Sequence, residues 1–371
     1  MNQLKPTPQL ITELQTRGLR IQEYGVAHVS RRGGAGPSDH QAVSIDGTTV
    51  MVPVYTQSAW QSPFSIGTGN DSQMLLKDRI PVTDVTFAYA PRFYSLATSD
   101  GVPYSHIATL HSKDVLATTV LQTCIRYESR RKACKFCSIG QSLNAGRTIA
   151  HKSPAQLAEV AKAAVDLDGV RHMIMTTGTP ATPDRGAAVL CESAAAVKQA
   201  VDIPIQVQCE PPRDPAWYGR LKAAGVDTLG MHLEVVTPTL RRELMPGKSE
   251  ITIEQYMGAF REAVSVFGRG QVSTYILAGL GDTREAILEI CDELVDLGVY
   301  PFVVPFVPIS GTPLEDFSPP DSDFMESILV PLGKTLGSAG LLSRDIKAGC
   351  GRCGACSTLS RYEQEPEEVT C

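Results

Sequence analysis

The order of apolar and polar positions divides the chain into two stretches. Residues 9–18 place apolar side chains at helical spacing and end at Gly18, which predicts a short amphipathic helix with a glycine stop. Ala42 to Ile66 and Val82 to Ala97 alternate apolar and polar residues, with turn signals at Asp46-Gly47 and Asp100-Gly101, and predict hairpins. From residue 115 the pattern changes. Apolar, β-branched runs at 115–122, 170–176, 204–208, 227–233, 272–277 and 301–307 alternate with helical stretches. Ser153, Pro154 and Gln156 supply a cap, a proline at the first helical position and a capping-box partner, and Asp282 with Glu285 repeats that logic. Further helices are predicted over 187–200, 215–224, 253–267 and 323–338.

Six strand–helix units in succession imply parallel strands joined by right-handed crossovers. Six rather than eight predicts an α/β fold of partial (β/α)6 TIM-type barrel, with its chemistry at the C-terminal strand ends. The expected organisation is a small β-rich N-terminal lead-in over 1–110, the barrel core over 111–340 and a C-terminal cysteine-rich extension over 341–371.

Composition narrows the function classes. The 371 residues are 43% hydrophobic and 20% charged, ordinary for a soluble enzyme. A net charge of −6 makes nucleic acid an unfavoured partner, because such binders carry a basic excess. No apolar run reaches the length of a membrane span, and the first residues lack the apolar core of a signal peptide. Ten cysteines, six of them in two tight clusters, point to metal ligation in a reducing cytoplasm rather than to disulfides. The glycine-rich segment from Arg31 to Asp39 lacks a surrounding strand–glycine–helix unit and reads as a loop. The acidic tail from Glu363 reads as solvated.

The first cysteine cluster is the candidate chemistry. Cys124, Cys134 and Cys137 sit in a basic loop after the 115–122 strand, with two residues between the last pair. Three thiolates can hold three irons of a four-iron cluster, since each iron takes one outside ligand. The fourth iron then stays open, which favours catalysis over storage by the logic of open metal sites. Arg126, Arg130, Arg131 and Lys132 lie in the same loop, either to offset cluster charge and attract an acidic reductant or as a solvated face.

Other strand ends carry polar residues. Gln208 and Glu210 share a face by alternation, and a buried Glu needs a partner, although Glu210 just past the strand would equally be exposed. His232 and Glu234 share a face at the next strand end. A lone strand histidine is more often structural than a ligand; the pairing at a barrel mouth is what raises the functional reading.

A three-cysteine loop ending in Cys134-x-Phe136-Cys137 after the first strand of such a core resembles the radical S-adenosylmethionine (SAM) enzymes. The usual first gap is three residues; here it is nine. The resemblance implies a [4Fe-4S] cluster whose open iron binds SAM, reductive cleavage of SAM to a 5′-deoxyadenosyl radical, and hydrogen abstraction from a small-molecule substrate. It implies a flavodoxin- or ferredoxin-type reductant. Phe136 holds the aromatic position of the loop. Thr177, Gly178 and Thr179 stand where the family has its Gly-Gly-Glu motif for the SAM amino group, with Thr179 replacing the glutamate. The stretches around His232 and Glu234 and from Arg242 to Lys248 resemble lipoyl and biotin synthase-like members, which implies SAM contacts by Glu234, His232 and a nearby arginine, Arg242. Ile276, Gly279 and Leu280 correspond to the segment that sandwiches the adenine. Within the family the likeness extends to a group encoded beside nitrilases, which fixes no substrate.

The second cluster, Cys350, Cys353 and Cys356, has glycines between the cysteines, which let a short loop wrap a metal group. An auxiliary iron–sulfur cluster is the preferred reading. Structural zinc, with Cys371 or a distant group as fourth ligand, is the competitor. The rival for the whole chain is a zinc or iron–sulfur protein with a structural or electron-carrying role and no SAM chemistry. Cys191, Cys209 and Cys291 read as core residues.

Overall fold

A computed structural model describes residues 7–21, 39–68, 73–88, 90–129 and 131–363. The loop residues Arg31–Ser38, Arg130, the tail beyond Glu363 and Cys371 lie outside the described residues.

The predicted first helix runs Pro8–Arg17, capped by the Thr7 side chain at its start and ended by Gly18. Five strands follow: β1 (His40–Ile45), β2 (Thr48–Pro53), β3 (Phe64–Thr68), β4 (Gln73–Lys77) and β5 (Ile80–Phe87). They form one antiparallel sheet in the order β2-β1-β5-β4-β3. Asp46 and Gly47 join β1 to β2 with φ of 47° and 75°, the two left-handed positions that a tight hairpin turn requires. Of the predicted hairpins over 82–97, the first part lies in β5, which pairs antiparallel with β4, and Ala97 forms a single antiparallel bridge with Pro103 around the Asp100-Gly101 turn. β5 ends at Phe87, and a 3₁₀ turn at Arg92–Ser95 occupies the rest, its Arg92 and Phe93 amides satisfied by Asp168 of the barrel.

The second sheet has seven strands: β6 (Thr109–His111), β7 (Val115–Thr119), β8 (His172–Thr176), β9 (Ile205–Gln208), β10 (Thr228–Gly230), β11 (Val272–Ala278) and β12 (Val299–Pro305). From β7 to β12 they pair in parallel and in chain order, and β6 adds an antiparallel edge beside β7. β12 and β6 are the two edges, so the barrel is open. The six predicted parallel strands are all present; β6 is the addition. β7 and β12 are buried at every position, as expected for strands with a filled lumen on one face and helices on the other.

Those helices start and stop where local chemistry dictates. Ser153 and Gln156 close the capping box of the helix at Pro154–Asp168, and Thr252 with Gln255 does the same for Ile253–Phe267. The helix at Arg284–Leu297 is capped by Thr283, not by Asp282. Asp282 instead accepts the amides of Val236 and Thr237, pinning the segment after β10.

The C-terminal cysteine loop plugs the lower end of the barrel. Thr228, first residue of β10, donates to Ala348 O, and the Gly349 amide donates to Nδ1 of His172, first residue of β8. A side chain at Gly349 would sit 2.1 Å from the Gln206 amide, and its φ is 107°, so only glycine fits. The antiparallel sheet and the first helix cover this plug from outside: Met51 N of β2 and Gln15 Nε2 of the helix both donate to Ala355 O, and Ala42 and Met51 pack on Ala355 beside Cys353 and Cys356.

Candidate active site

Cys124, Cys134 and Cys137 of the first cluster and Cys350 and Cys356 of the second border two adjoining cavities, while Cys353 borders a separate one beside Ser112 and Asp114. A cavity of about 190 Å³ at the upper strand ends is bordered by Cys124, Cys134 and Cys137, by Thr177–Thr179, and by Gln208, Glu210, His232, Glu234 and Lys248. It shares Cys134, Cys137, Gln208, His232 and Glu234 with a second cavity of about 370 Å³ that runs down the lumen to Cys350 and Cys356. His40, Met51 and His111 border that lower cavity, so the N-terminal sheet contributes to its wall. The sequence reading assigned those first hundred residues no part in the site.

Cys124 ends the segment after β7, and the chain then makes a short turn at Ile125–Glu128 before Cys134 and Cys137. Gly178 approaches so closely that a Cβ there would stand 2.0 Å from Thr123 O, which brings the turn after β8 against the base of the cysteine loop. Burial raises Cys134 well above the ordinary thiol value, and burial likewise pushes Cys137 up to about 12. Without a metal both are neutral thiols, and a metal group must displace their protons to bind. Among the described residues no three His, Cys, Asp or Glu side chains converge on the position of one metal ion. A four-iron cluster makes a different demand, one sulfur for each of three irons, and an all-thiol set around a shared cavity fits it.

The remaining polar groups are firmly placed. Arg126 is buried and forms a bidentate pair with Glu210, at 2.7 and 2.8 Å, and also bonds Gly247 O. Burial alone would lower the guanidinium, but Glu210 raises it above its usual value. Arg126 therefore lies inside the fold, not on a solvated loop face, and the partner that a buried Glu210 requires is this arginine. Lys248 is equally buried and pairs with Glu234 across 2.7 Å; burial opposes its charge, yet Glu234 holds the ammonium above its ordinary range. Glu234 takes a left-handed φ of 65°, which turns its carboxylate toward Lys248 and its amide toward Tyr275 O.

His232 is held at both ring nitrogens. The Tyr275 amide donates to Nδ1, so Nε2 carries the proton and donates to Gln208 Oε1 at 3.0 Å. Burial, aided by Lys248, pushes its pKa down to about 3, and the ring is neutral at ordinary pH. Gln208 passes the chain on, donating from Nε2 to Gln206 Oε1 and to Cys350 Sγ.

The apolar wall differs from the expected one. Leu280 packs with Phe136 and Phe306. Ile276 points out of the lumen, and its neighbours Tyr275 and Leu277 face in, a one-residue offset that inverts the face of a strand. Gly279 backs onto Pro320. Arg242 is exposed and borders neither cavity, whereas Arg241 beside it is buried and bonds the carbonyls of Leu233, Val235 and Ile251. Tyr275 is the site group that sequence reasoning missed; the sequence marks Arg126 as a cluster counter-charge or a solvated face and Lys248 only as part of a resembling stretch, neither with its buried acidic partner. Long-range ion pairing leaves no periodic signal, so only the Gly247-Lys248 stretch offered a hint.

Residues 130–294 match the family model of the radical SAM superfamily. The chain is 26% identical over 246 residues to bacteriochlorophyllide c C-7(1)-hydroxylase of Chlorobaculum limnaeum, covering 61% of each chain. It is 28% identical over 172 residues to lipoyl synthase of Marinobacter nauticus, covering 45% of this chain and 47% of that one. The match thus spans about three-fifths and about half of these relatives' own lengths. A radical SAM methyltransferase from Sphaerobacter thermophilus superposes with a TM-score of 0.47 at 16% identity, covering 80% of this chain and 81% of the other. No helix among the described residues is long and apolar enough to cross a membrane.

Proposed function

The chain is an enzyme of the radical SAM superfamily, and from that premise we propose that Cys124, Cys134 and Cys137 hold the [4Fe-4S] cluster and that SAM docks beside them. The observation that carries this reading is the shared border: three thiols, the Thr177–Thr179 turn and the His232–Glu234 segment surround one small cavity. When bound, the cluster and SAM supply one-electron cleavage of the sulfonium and hydrogen abstraction from a substrate.

The chain's own residues bind and orient. The backbone of Thr177, Gly178 and Thr179 offers polar groups for the SAM amino end. Lys248, charged and buried, offers a cation for its carboxylate and shares that task with Glu234 on the amino group. Phe136 and Leu280 form an apolar wall suited to the adenine. Neutral His232 donates to Gln208 and fixes its amide without adding charge to the cavity. A small molecule fits the lower lumen, where buried walls exclude water from a reactive centre. Cys350, Cys353 and Cys356 would hold an auxiliary iron–sulfur cluster at the lumen floor. An acidic flavodoxin- or ferredoxin-type carrier is the reductant we assign, in a reducing cytoplasm that keeps the thiols free.

Anaerobic reconstitution tests the reading. The brown protein should form 5′-deoxyadenosine from SAM with dithionite, and changing Cys350, Cys353 and Cys356 together to Ala should remove about half of the iron and sulfide. A colourless protein that holds zinc and is inert toward SAM would sink it.

A further inference from the structure

We propose that the cavity walled by Arg126, Arg185 and Arg213, between the loops after β8 and β9 and the helix at Ile253–Phe267, is a second ligand site. It takes a small organic anion through one phosphate or carboxylate group, and it is built without either cysteine cluster.

The cavity has a volume of about 730 Å³, within the range of small-molecule sites. The loop after β8 supplies Pro180, Pro183 and Arg185, the loop after β9 supplies Pro211, Pro212 and Arg213, and Arg126 enters from the cysteine loop. The prolines fix φ along both loops, so the walls are set before a ligand arrives. Ile125, Ile251 and Ala259 add apolar surface, which suits an organic body behind a charged head.

Guanidiniums gathered around one space repel each other, and the ion pairs of the fold relieve only part of that. Arg126 is matched by Glu210 at 2.7 and 2.8 Å and by Glu250 at 3.5 Å. Glu250 also takes Lys132 at 2.7 Å. Among the described residues, neither Arg185 nor Arg213 has a carboxylate within ion-pair distance. Arg185 is half-buried and commits one N–H to Pro211 O, across 2.5 Å. Its backbone is held at a left-handed φ of 53°: its amide donates to Thr182 O, and Asp184 beside it accepts the amides of Gly186 and Ala188. Such a conformation is unfavourable for a non-glycine residue and persists where its surroundings impose it. Burial lowers the Arg185 guanidinium, and Arg126 and Arg213 add to that against the pull of Glu210. An anion between Arg185 and Arg213 removes the repulsion, and the planar fork of an arginine matches a phosphate or carboxylate through two parallel N–H bonds.

The acids of the opposite wall set the limit. Glu250 just before the helix and Glu262 on it border the same cavity, so they repel a polyanion and leave room for a single anionic head at the Arg185–Arg213 end. Arg126 and Thr179 border both this cavity and the upper one, whereas Arg185 and Arg213 border only this one. Those two arginines therefore distinguish an anion bound here from one bound beside the cysteines.

The test is isothermal titration calorimetry on the full chain, reconstituted anaerobically, at fixed ionic strength. The probes are phenyl phosphate, benzoate and the neutral benzyl alcohol. At least one of the anions should saturate a single site on each chain, benzyl alcohol should not, and the anion that binds names the head group. Arg185→Gln and Arg213→Gln should each weaken that anion by about tenfold or more, the worth of a hydrogen bond to a charged group. Arg171→Gln, at an exposed arginine that does not border this cavity, should leave it unchanged. Arg213 is itself exposed, so its variant decides the matter even where Arg185→Gln disturbs its loop. The proposal is overturned if neither anion saturates, if benzyl alcohol binds as tightly, or if Arg213→Gln behaves like Arg171→Gln. SAM and reductant are absent from the titration, so its outcome stands apart from the radical SAM reading.

Discussion

Gln208 donates to Cys350 across 3.2 Å, and the same amide accepts the Nε2 proton of His232 at 3.0 Å. One side chain thus joins the upper mouth of the barrel to the cysteine loop at its floor. Changing Gln208 to Leu leaves the His232 N–H without its acceptor and Cys350 without its donor. The expected loss is about 1–3 kcal/mol for the orphaned buried group, seen as a lower urea midpoint with unchanged slope. The reconstituted variant should also show a lower midpoint potential for the lower cluster, because a sulfur has lost a hydrogen bond. An unchanged potential would mean that no cluster sits on Cys350.

Glu234 and Lys248 separate stability from ligand binding. Either single change, Glu234→Gln or Lys248→Met, leaves a buried charge unpaired and should cost about 3–5 kcal/mol. The double variant removes both charges and should recover most of that stability in urea unfolding. SAM affinity, measured by equilibrium dialysis, should stay lost in all three. A double variant that binds SAM as well as the parent would reduce the pair to a structural role.

Much of the frame was legible in the sequence. All six parallel strands follow from the apolar runs, and the Ser153–Gln156 box and the Gly18 stop are local chemistry that tertiary contacts leave alone. The errors share a physical cause. Thr283 rather than Asp282 caps its helix because Asp282 is drawn to amides 46 and 45 residues away. Tyr275 and Leu277 border the lumen and Ile276 does not, and the run Tyr275-Ile276-Leu277 carries no apolar–polar alternation to mark its lumen side. Arg126, in a run of charges, gave no hint that an acid 84 residues distant would bury it.

Two glycines are expected to divide the clusters experimentally. Gly349→Ala sets a Cβ against Gln206 at a left-handed φ, so it should loosen the lower loop and halve the iron while SAM still binds. Gly178→Ala collides with Thr123 O at the base of the upper loop and should abolish SAM binding with the lower iron retained. Gly258, inside the helix at Ile253–Phe267 with nothing within 4 Å, is the control. Its change to Ala should stabilise by about 1 kcal/mol and leave both metal contents intact. Iron and sulfide assays with a SAM binding measurement on each variant check all three.

His172 makes stability depend on pH, and the sign follows from its burial. It lies 2% exposed at the lower end of β8, and burial pushes its pKa from 6.5 down to about 4. Between those values the unfolded chain binds a proton that the folded chain refuses, so folding stability falls as pH drops from 6.5 toward 4. Above 6.5 both states are neutral and the group adds no slope; below about 4 both are charged and the full penalty of roughly 3 kcal/mol is reached. His172→Gln keeps an acceptor for the Gly349 amide and removes the titration. In urea unfolding at pH 7.0, 5.5 and 4.5, chosen as about one step apart across this window, the difference between parent and variant should move steadily in the variant's favour. A difference constant across the three would mean that His172 is protonated inside the fold, and the lower end of the barrel would then have to supply it with an anion.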